Sequence, residues 1–203
     1  MGSLPRMSTQ FSMLDLMNAA LISQGFDEML AEGDGTDEWR LLSRNWANIV
    51  EAELEDGLYS FSRKQASLVT RSDGKFGYAD AFMVPAEALH VRRLWIEDEV
   101  GPRTFVDWVQ DGVNVHVDSS AGVTIEYVEA ADPSFWSANF SRAVQMKMEA
   151  CLLRFKEEHS TAQAMEQQAE NYFQRARTNS SKSRSAKEPY RASRFARARF
   201  GRG

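Results

Sequence analysis

The chain has 203 residues, of which 43% are hydrophobic and 26% charged. This composition is typical of a folded globular protein and not of a disordered or fibrous one. No apolar run approaches the ~18 residues that a transmembrane helix needs, and residues 1–7 lack the apolar stretch of a signal peptide. The single cysteine, Cys151, excludes an internal disulfide. We therefore expect a protein that is made in a cytosol and has no membrane partner.

The net charge of −5 hides a strong asymmetry along the chain. Residues 175–203 carry ten Lys or Arg and one acid, Glu188, for a net charge of +9. The remaining residues carry 14 basic and 28 acidic side chains, for a net charge of −14. An acidic body with a basic tail is typical of proteins whose tail binds a partner, although a solvated tail without a partner has the same composition.

Apolar residues at helical spacing predict two helices in the first part of the chain. Ser12 and Asp15 have the spacing of a capped helix start, and the apolar stripe that follows predicts a helix over 13–24. Thr36 is a second candidate cap, and the next stripe predicts a helix over 36–56.

The middle of the chain changes to alternating apolar and polar residues, with turn residues every ~8 to 12 positions. This pattern predicts a small antiparallel β-lobe over about 58–129. Asp132 is then a candidate cap, and because proline is favoured at the first helical position, Pro133 predicts a third helix over 133–157.

Ser160 and Gln163 have the spacing of a capping box and predict a fourth helix over 160–177. Beyond it Ser, Arg and Lys dominate without periodicity, which predicts a disordered basic C-terminal arm over 178–203. The order of elements therefore predicts an α+β fold: residues 1–177 form a four-helix bundle with an inserted small antiparallel β-lobe, and the arm follows.

The residue types that most often bind metals or act as nucleophiles are scattered. His90, His116 and His159 form no pair at metal-ligand spacing, and each is expected to be a surface or strand histidine. Cys151 lies in a helical stripe, which indicates a core thiol. The sequence contains no phosphate-binding loop and no dinucleotide motif. We therefore predict no catalytic residue, no cofactor and no metal.

Three acids in the second helix could in principle supply paired carboxylates for acid–base catalysis. Glu51, Glu53 and Glu55 occupy alternate positions, which point to different faces of a helix, so a solvated surface is the better interpretation. A hydrolase whose site is assembled from distant residues stays open as an alternative, because catalytic triads are built in space and not in sequence.

In the basic arm, aromatic residues are interleaved with arginines. Arginine binds phosphates and carboxylates through two parallel hydrogen bonds, and aromatic rings add contact area. Two partners suit this composition: a nucleic acid, bound through phosphates and base stacking, or an acidic or apolar groove on a protein. The residues alone leave both open. The interleaved residues are Tyr190, Arg191, Arg194, Phe195, Arg197, Arg199, Phe200 and Arg202.

Several segments, which together cover residues 13–177, resemble phage head-to-tail adaptors of the tail tubular protein A type. The family's first helix ends at a glycine, its second runs into an aromatic strand, and a proline followed by a leucine opens its β-lobe. The last strand then leads into the third helix. The matching segments are 14–25 (LDLMNAALISQG), 46–62, 82–94 (FMVPAEALHVRRL), 127–144 and 164–177.

The resemblance implies a structural role without catalysis. Such adaptors form a ring, here expected to have about twelve copies, between a portal protein and a downstream tail or nozzle protein. DNA passes through the lumen without sequence specificity. The protein would be made in the host cytoplasm and reside in the virion neck.

The resemblance also implies that the C-terminal arm reaches into the portal. The portal-binding residues would be Tyr190, Arg191, Arg194, Phe195, Arg197, Arg199 and Phe200. Acids on the lumen wall would repel DNA phosphates, and Glu97, Asp98 and Glu99 are candidates for that role. The alternative function is a nucleic-acid-binding protein that acts through its basic tail.

Overall fold

The computed structural model describes residues 11–96, 104–119 and 122–182. Within these ranges the chain is mixed α+β, with four α-helices and two antiparallel sheets, as expected for the fold class. The helices are α1 (Met13–Ser23), α2 (Asp37–Asp56), α3 (Ala138–Phe155) and α4 (His159–Lys182). The strands are β1 (Arg63–Leu68), β2 (Arg71–Asp73), β3 (Asp80–Met83), β4 (Ala88–Ile96), β5 (Thr104–Phe105), β6 (Trp108–Asp111), β7 (Asn114–Val117) and β8 (Val123–Glu129).

The first two helices begin where the sequence predicts them. Ser12 caps α1 by accepting a hydrogen bond from the Asp15 N–H, and the Asp15 carboxylate accepts one from the Ser12 N–H, so the capping box is complete. The Thr36 hydroxyl accepts from the Trp39 N–H at the start of α2. These side chains satisfy N–H groups that have no partner inside the helix.

The predicted third helix over 133–157 is divided into two elements. Pro133–Phe135 form a short 3-10 turn that Asp132 caps, and Ser137 caps the start of α3. The break occurs because Trp136 adopts an extended backbone and its indole N–H donates to the carbonyl of Ala131.

The fourth helix begins earlier and ends later than the predicted range of 160–177. Glu157 lies in the left-handed region, with φ of 65°, and reverses the chain after α3. Because α4 begins directly afterwards at His159, Ser160 lies inside the helix, and its prediction as a cap is wrong. At the other end, α4 continues beyond the expected end at residue 177 as far as Lys182.

Helix α3 is the centre of the helical part and contacts α1, α2 and α4, with its most extensive contact against α4. Phe140 of α3 is fully buried and packs edge-on against four other rings. Those rings belong to Tyr59, Phe61, Trp136 and Phe173. The helices surround a shared core, but the predicted four-helix bundle is not confirmed. Along the described part of the chain no helix is long and apolar enough to span a bilayer.

The β-lobe contains two antiparallel sheets that share a second core. One sheet has the strand order β1-β8-β4-β5 and the other β2-β3-β7-β6. Side chains of both sheets pack together, with Phe82 and Val115 from one and Leu94 and Ile125 from the other among the buried residues. Strand β8 joins the two cores, because successive side chains of a strand point to opposite faces.

Candidate functional site at the end of the last helix

The residues that were predicted to bind a portal, Tyr190, Arg191, Arg194, Phe195, Arg197, Arg199 and Phe200, lie outside the described residues. So do the candidate lumen acids Glu97, Asp98 and Glu99. The structure does describe the last two turns of α4, which precede the basic segment in the chain. The candidate site consists of these turns and the residues that contact them.

Arg177, near the end of α4, forms a bidentate ion pair with Glu53 of α2. Its Nη2 lies 2.7 Å from both Glu53 carboxylate oxygens, and its Nε lies 3.0 Å from Oε1. Its Nη1 donates to Glu170 Oε1 at 3.1 Å. The Glu53 side chain is only 10% exposed and that of Arg177 27% exposed. The pair therefore joins two helices through a partly desolvated contact, where an ionic hydrogen bond is stronger than at an open surface.

Tyr59, just beyond α2, completes the cluster by donating its phenol O–H to Glu53. Burial, together with the neighbouring Glu53 carboxylate, raises the pKa of Tyr59, so the phenol stays protonated and acts as a donor. Burial acts to lower the pKa of Arg177, but hydrogen bonds and the charge of Glu53 outweigh it and raise that pKa. Burial raises the pKa of Glu53, while the bonds from Tyr59 and Arg177 act in the opposite direction.

A second contact fixes the end of α4 one turn further on. The Ser60 N–H donates to Ser180 Oγ at 3.3 Å, and Ser180 is buried. Together with the Arg177 ion pair, this contact explains why the helix continues to Lys182, since the residues after 177 have their own tertiary partners. The position of the end of α4 is thus set by α2 and by the turn that follows it.

The sequence did not predict this cluster. Glu53 was interpreted as part of a solvated surface, which is wrong for Glu53, while Glu51 and Glu55 are indeed exposed. Arg177 was counted with the basic tail. The two residues are 124 positions apart, and no local pattern connects them.

The structure also places His116 and Cys151. His116 was expected to be an ordinary surface or strand histidine; it lies on β7 but is 1% exposed. Its Nδ1 accepts a hydrogen bond from the Lys75 N–H, and its buried Nε2 has no hydrogen-bond partner among the described residues. Cys151 packs against the helical core, as predicted, and burial raises the pKa of its thiol. Within the described ranges, no group of three or more His, Cys, Asp or Glu could hold a metal ion.

Comparisons with known proteins yield matches among solved structures, one of which is a weak structural likeness. No protein-family model matches the chain, and no curated protein matches its sequence. Among solved structures, a chain in the neck of an empty GTA particle, computed with C6 symmetry, matches with a TM-score of 0.28 and 17% sequence identity. The match covers 73% of this chain and 80% of that chain. At this TM-score the likeness assigns neither a family nor a function.

Proposed function

We propose that the chain is a non-catalytic structural subunit of the neck of a tailed bacteriophage, a head-to-tail adaptor that resides in the virion. About twelve copies form a ring between a portal protein and a downstream tail protein, and the four helices of each copy act as one bundle. Two features support the proposal. The segments that resemble such adaptors cover residues 13–177, and the order of elements (two helices, a β-lobe, two helices) is the order that the resemblance implies.

The observation that carries the proposal is the fixed end of α4. The Glu53–Arg177 pair and the Ser60–Ser180 contact hold this end against the body, so every copy presents its basic segment from the same place. In a ring, identical segments at fixed spacing bind a ring-shaped partner together. Each additional contact is then intramolecular, and weak single contacts give strong total binding through a high effective concentration.

The charge distribution suits a channel through which DNA passes. Residues 1–174 carry a net charge of −14, and a wall of negative charge repels phosphates, which limits adhesion to passing DNA. Nothing in this role requires recognition of a base sequence.

The proposal is tested by imaging particles that carry the full chain or a chain that ends at Lys182. This truncation keeps Arg177 and Ser180, and so leaves both contacts of α4 intact. We expect a ring of the full chain at the neck and a clear loss of neck occupancy with the shortened chain. A neck without this protein, or with a single unassembled copy, would contradict the adaptor. Unchanged occupancy of the shortened chain would exclude a portal-binding role for residues 183–203.

A second candidate function, nucleic-acid binding, is favoured by one observation. Residues 183–203 carry seven Lys or Arg, one acid and three aromatic residues, a composition that suits phosphates and stacked bases. This function predicts that the isolated chain binds duplex DNA, with an affinity that falls by a slope of about 0.9 per phosphate contact in a log–log plot against salt. The adaptor predicts little affinity for DNA outside the particle.

A further inference from the structure

A cavity of about 390 Å³ opens on the side of the helical part. It lies between the start of α1, the middle of α2 and the turn that leads from β8 to α3. Two indoles line it: the rings of Trp46 and Trp136 stack with centroids 5.6 Å apart and an interplanar angle of 17°. The Trp136 N–H is used by the carbonyl of Ala131, at 2.8 Å. The stacked pair therefore offers an aromatic surface that is held in place.

Carboxylates surround this aromatic surface. Glu32, Glu51 and Asp132 line the cavity, while its lining, as far as the structure describes the chain, includes no Lys, Arg or His. Hydrogen bonds from Ser134 lower the pKa of Asp132, so this carboxylate is ionised at neutral pH. We call the cavity with its indoles and carboxylates the acidic tryptophan pocket.

The chemistry of this pocket suits a guanidinium group. A guanidinium is planar and weakly hydrated, stacks on an indole face, and donates two parallel hydrogen bonds to a carboxylate. Lysine has the charge without the planar donor geometry, and a neutral apolar side chain would leave three carboxylates without a counter-charge. An arginine side chain therefore matches both the indoles and the acids of the pocket.

The chain itself carries a matching segment. Residues 183–203 contain six arginines and one lysine against a single acid, and they follow the fixed end of α4. Tyr59, which bonds Glu53 at that end, is linked to the pocket through ring contacts of Phe140 with Tyr59 and with Trp136. The segment therefore starts a short distance from the pocket. Its 21 residues could span up to ~70 Å when extended, so its reach exceeds the distance it has to cover.

We propose that the acidic tryptophan pocket binds an arginine side chain of residues 183–203 of the same chain. The attachment through α4 makes this an intramolecular contact with a high effective concentration. The proposal goes beyond the adaptor and does not depend on it. If both hold, the segment must leave the pocket before it binds a portal, so the pocket competes with the portal for the same arginines.

The test uses the indole N–H resonance of Trp46 in the isolated full-length chain, assigned with Trp46→Phe. In one variant, all six arginines of residues 183–203 are replaced by Gln, namely Arg184, Arg191, Arg194, Arg197, Arg199 and Arg202. We expect the Trp46 resonance to shift in this variant, because the stacked guanidinium is gone. A synthetic peptide with the sequence of residues 183–203 should then return the resonance toward its position in the unchanged chain, and added salt should weaken that effect.

A matched pair of substitutions separates binding in the pocket from general attraction. When Glu51→Gln is combined with the six arginine changes, the affinity for the peptide should fall by at least about threefold. Glu55→Gln removes the same charge from an exposed position on the same helix, outside the pocket, and should leave the affinity unchanged. Equal effects of the two substitutions would overturn the proposal.

Three further results would overturn it. One is a Trp46 resonance that neither the six arginine changes nor the peptide moves. Another is a shift of that resonance in the unchanged chain on dilution alone, which would assign the contact to a second copy. The third is a shift with Arg6→Gln in place of the six changes, which would assign the pocket to the N-terminal residues. Because all measurements use the isolated chain, they leave the particle experiment independent.

Discussion

The helical part and the β-lobe bury different kinds of side chain in their cores. The helical core is aromatic: Phe140 touches four other rings, and the indole pair continues the cluster to the surface. The lobe core is mainly aliphatic and lies between two sheets. Residues of β8 belong to both, since Tyr127 packs into the lobe and Val128 into the helical core. The two regions are therefore neighbours with separate cores, which permits one to lose structure before the other.

The two regions also differ in how completely their buried charged groups are hydrogen-bonded. In the helical part, Glu53 receives donors from both Arg177 and Tyr59. In the lobe, Arg63 donates to Glu126 through Nη2, yet its buried Nε has no partner among the described residues. The buried Nε2 of His116 also has no hydrogen-bond partner among the described residues, and it lies 4.0 Å from Asp111 Oδ2. Unpaired buried polar groups cost free energy, so the lobe is expected to be the less stable region.

The substitution with the largest expected effect on stability removes an aromatic ring from the helical core. Phe140→Ala should lower the free energy of unfolding by about 3–5 kcal/mol, because it removes a fully buried ring and the edge contacts with its neighbours. Circular dichroism during denaturant unfolding measures the change. The loss should extend over all helices, since α3 contacts each of the others.

Phe82→Ala is the matched substitution in the lobe, where Phe82 is also fully buried. We expect faster hydrogen exchange in the β-strands while the helices keep their protection. If instead Phe82→Ala accelerates exchange equally in α3 and α4, the two cores unfold as one unit and the comparison fails.

The second effect concerns the two buried ion pairs. Arg177→Met should cost about 2–3 kcal/mol, because it leaves the Glu53 carboxylate buried with Tyr59 as its remaining donor. Arg63→Met should cost at least as much, about 3 kcal/mol, because it leaves the Glu126 carboxylate, whose side chain is 8% exposed, buried without its Arg63 donor. Thermal or denaturant unfolding of both variants gives the comparison.

Arg154→Met serves as the control for this experiment. Its ion pair with Glu166 lies nearer the solvent, with the Arg154 side chain 53% and the Glu166 side chain 33% accessible, so the loss should stay within about 1 kcal/mol. A loss for Arg177→Met no larger than that of the control would show that the α2–α4 contact adds little, and the end of α4 would then not be fixed by it.

The sequence predicts the elements that depend on neighbouring residues in the chain, but not those that depend on contacts between distant residues. Helix starts that depend on neighbours in the chain, such as Ser12 with Asp15 or Thr36 with Trp39, were predicted. The start of α4 was not, because the left-handed Glu157 sets it, and a non-glycine residue in that region has no reliable sequence pattern.

The candidate site depends on long-range contacts and was missed for that reason. Alternating acids in a helix predict different faces, but they do not tell which face another helix will cover, and α4 covers the one that carries Glu53. The burial of His116 likewise depends on the loop after β2, whose Lys75 N–H bonds the ring. The acidic tryptophan pocket combines residues from four separate segments, so neither its indoles nor its acids could be grouped beforehand.

The smallest expected effect is the pH dependence of the stability that the Ser12–Asp15 cap gives to α1. The Ser12 N–H and hydroxyl donate to the Asp15 carboxylate at 2.8 and 2.7 Å, and these bonds lower the pKa of Asp15. Since the folded pKa lies below the unfolded value of about 4, the unfolded chain takes up the proton first. The contribution to stability is therefore fully present above the unfolded pKa and is lost as pH falls through the folded pKa.

Asp15→Asn should accordingly destabilise the protein by about 0.5–1 kcal/mol at neutral pH, and the difference from the unchanged chain should vanish at acidic pH. Glu28→Gln, at an exposed position beyond α1, removes the same charge without a cap and should show neither effect. Unfolding midpoints of the three chains, measured across pH, test both expectations. A deficit of Asp15→Asn that persists well below the folded pKa would mean that the carboxylate does not act through its charge. The Asp15 side chain would then support the start of α1 through its hydrogen bonds with Ser12 even when it is protonated.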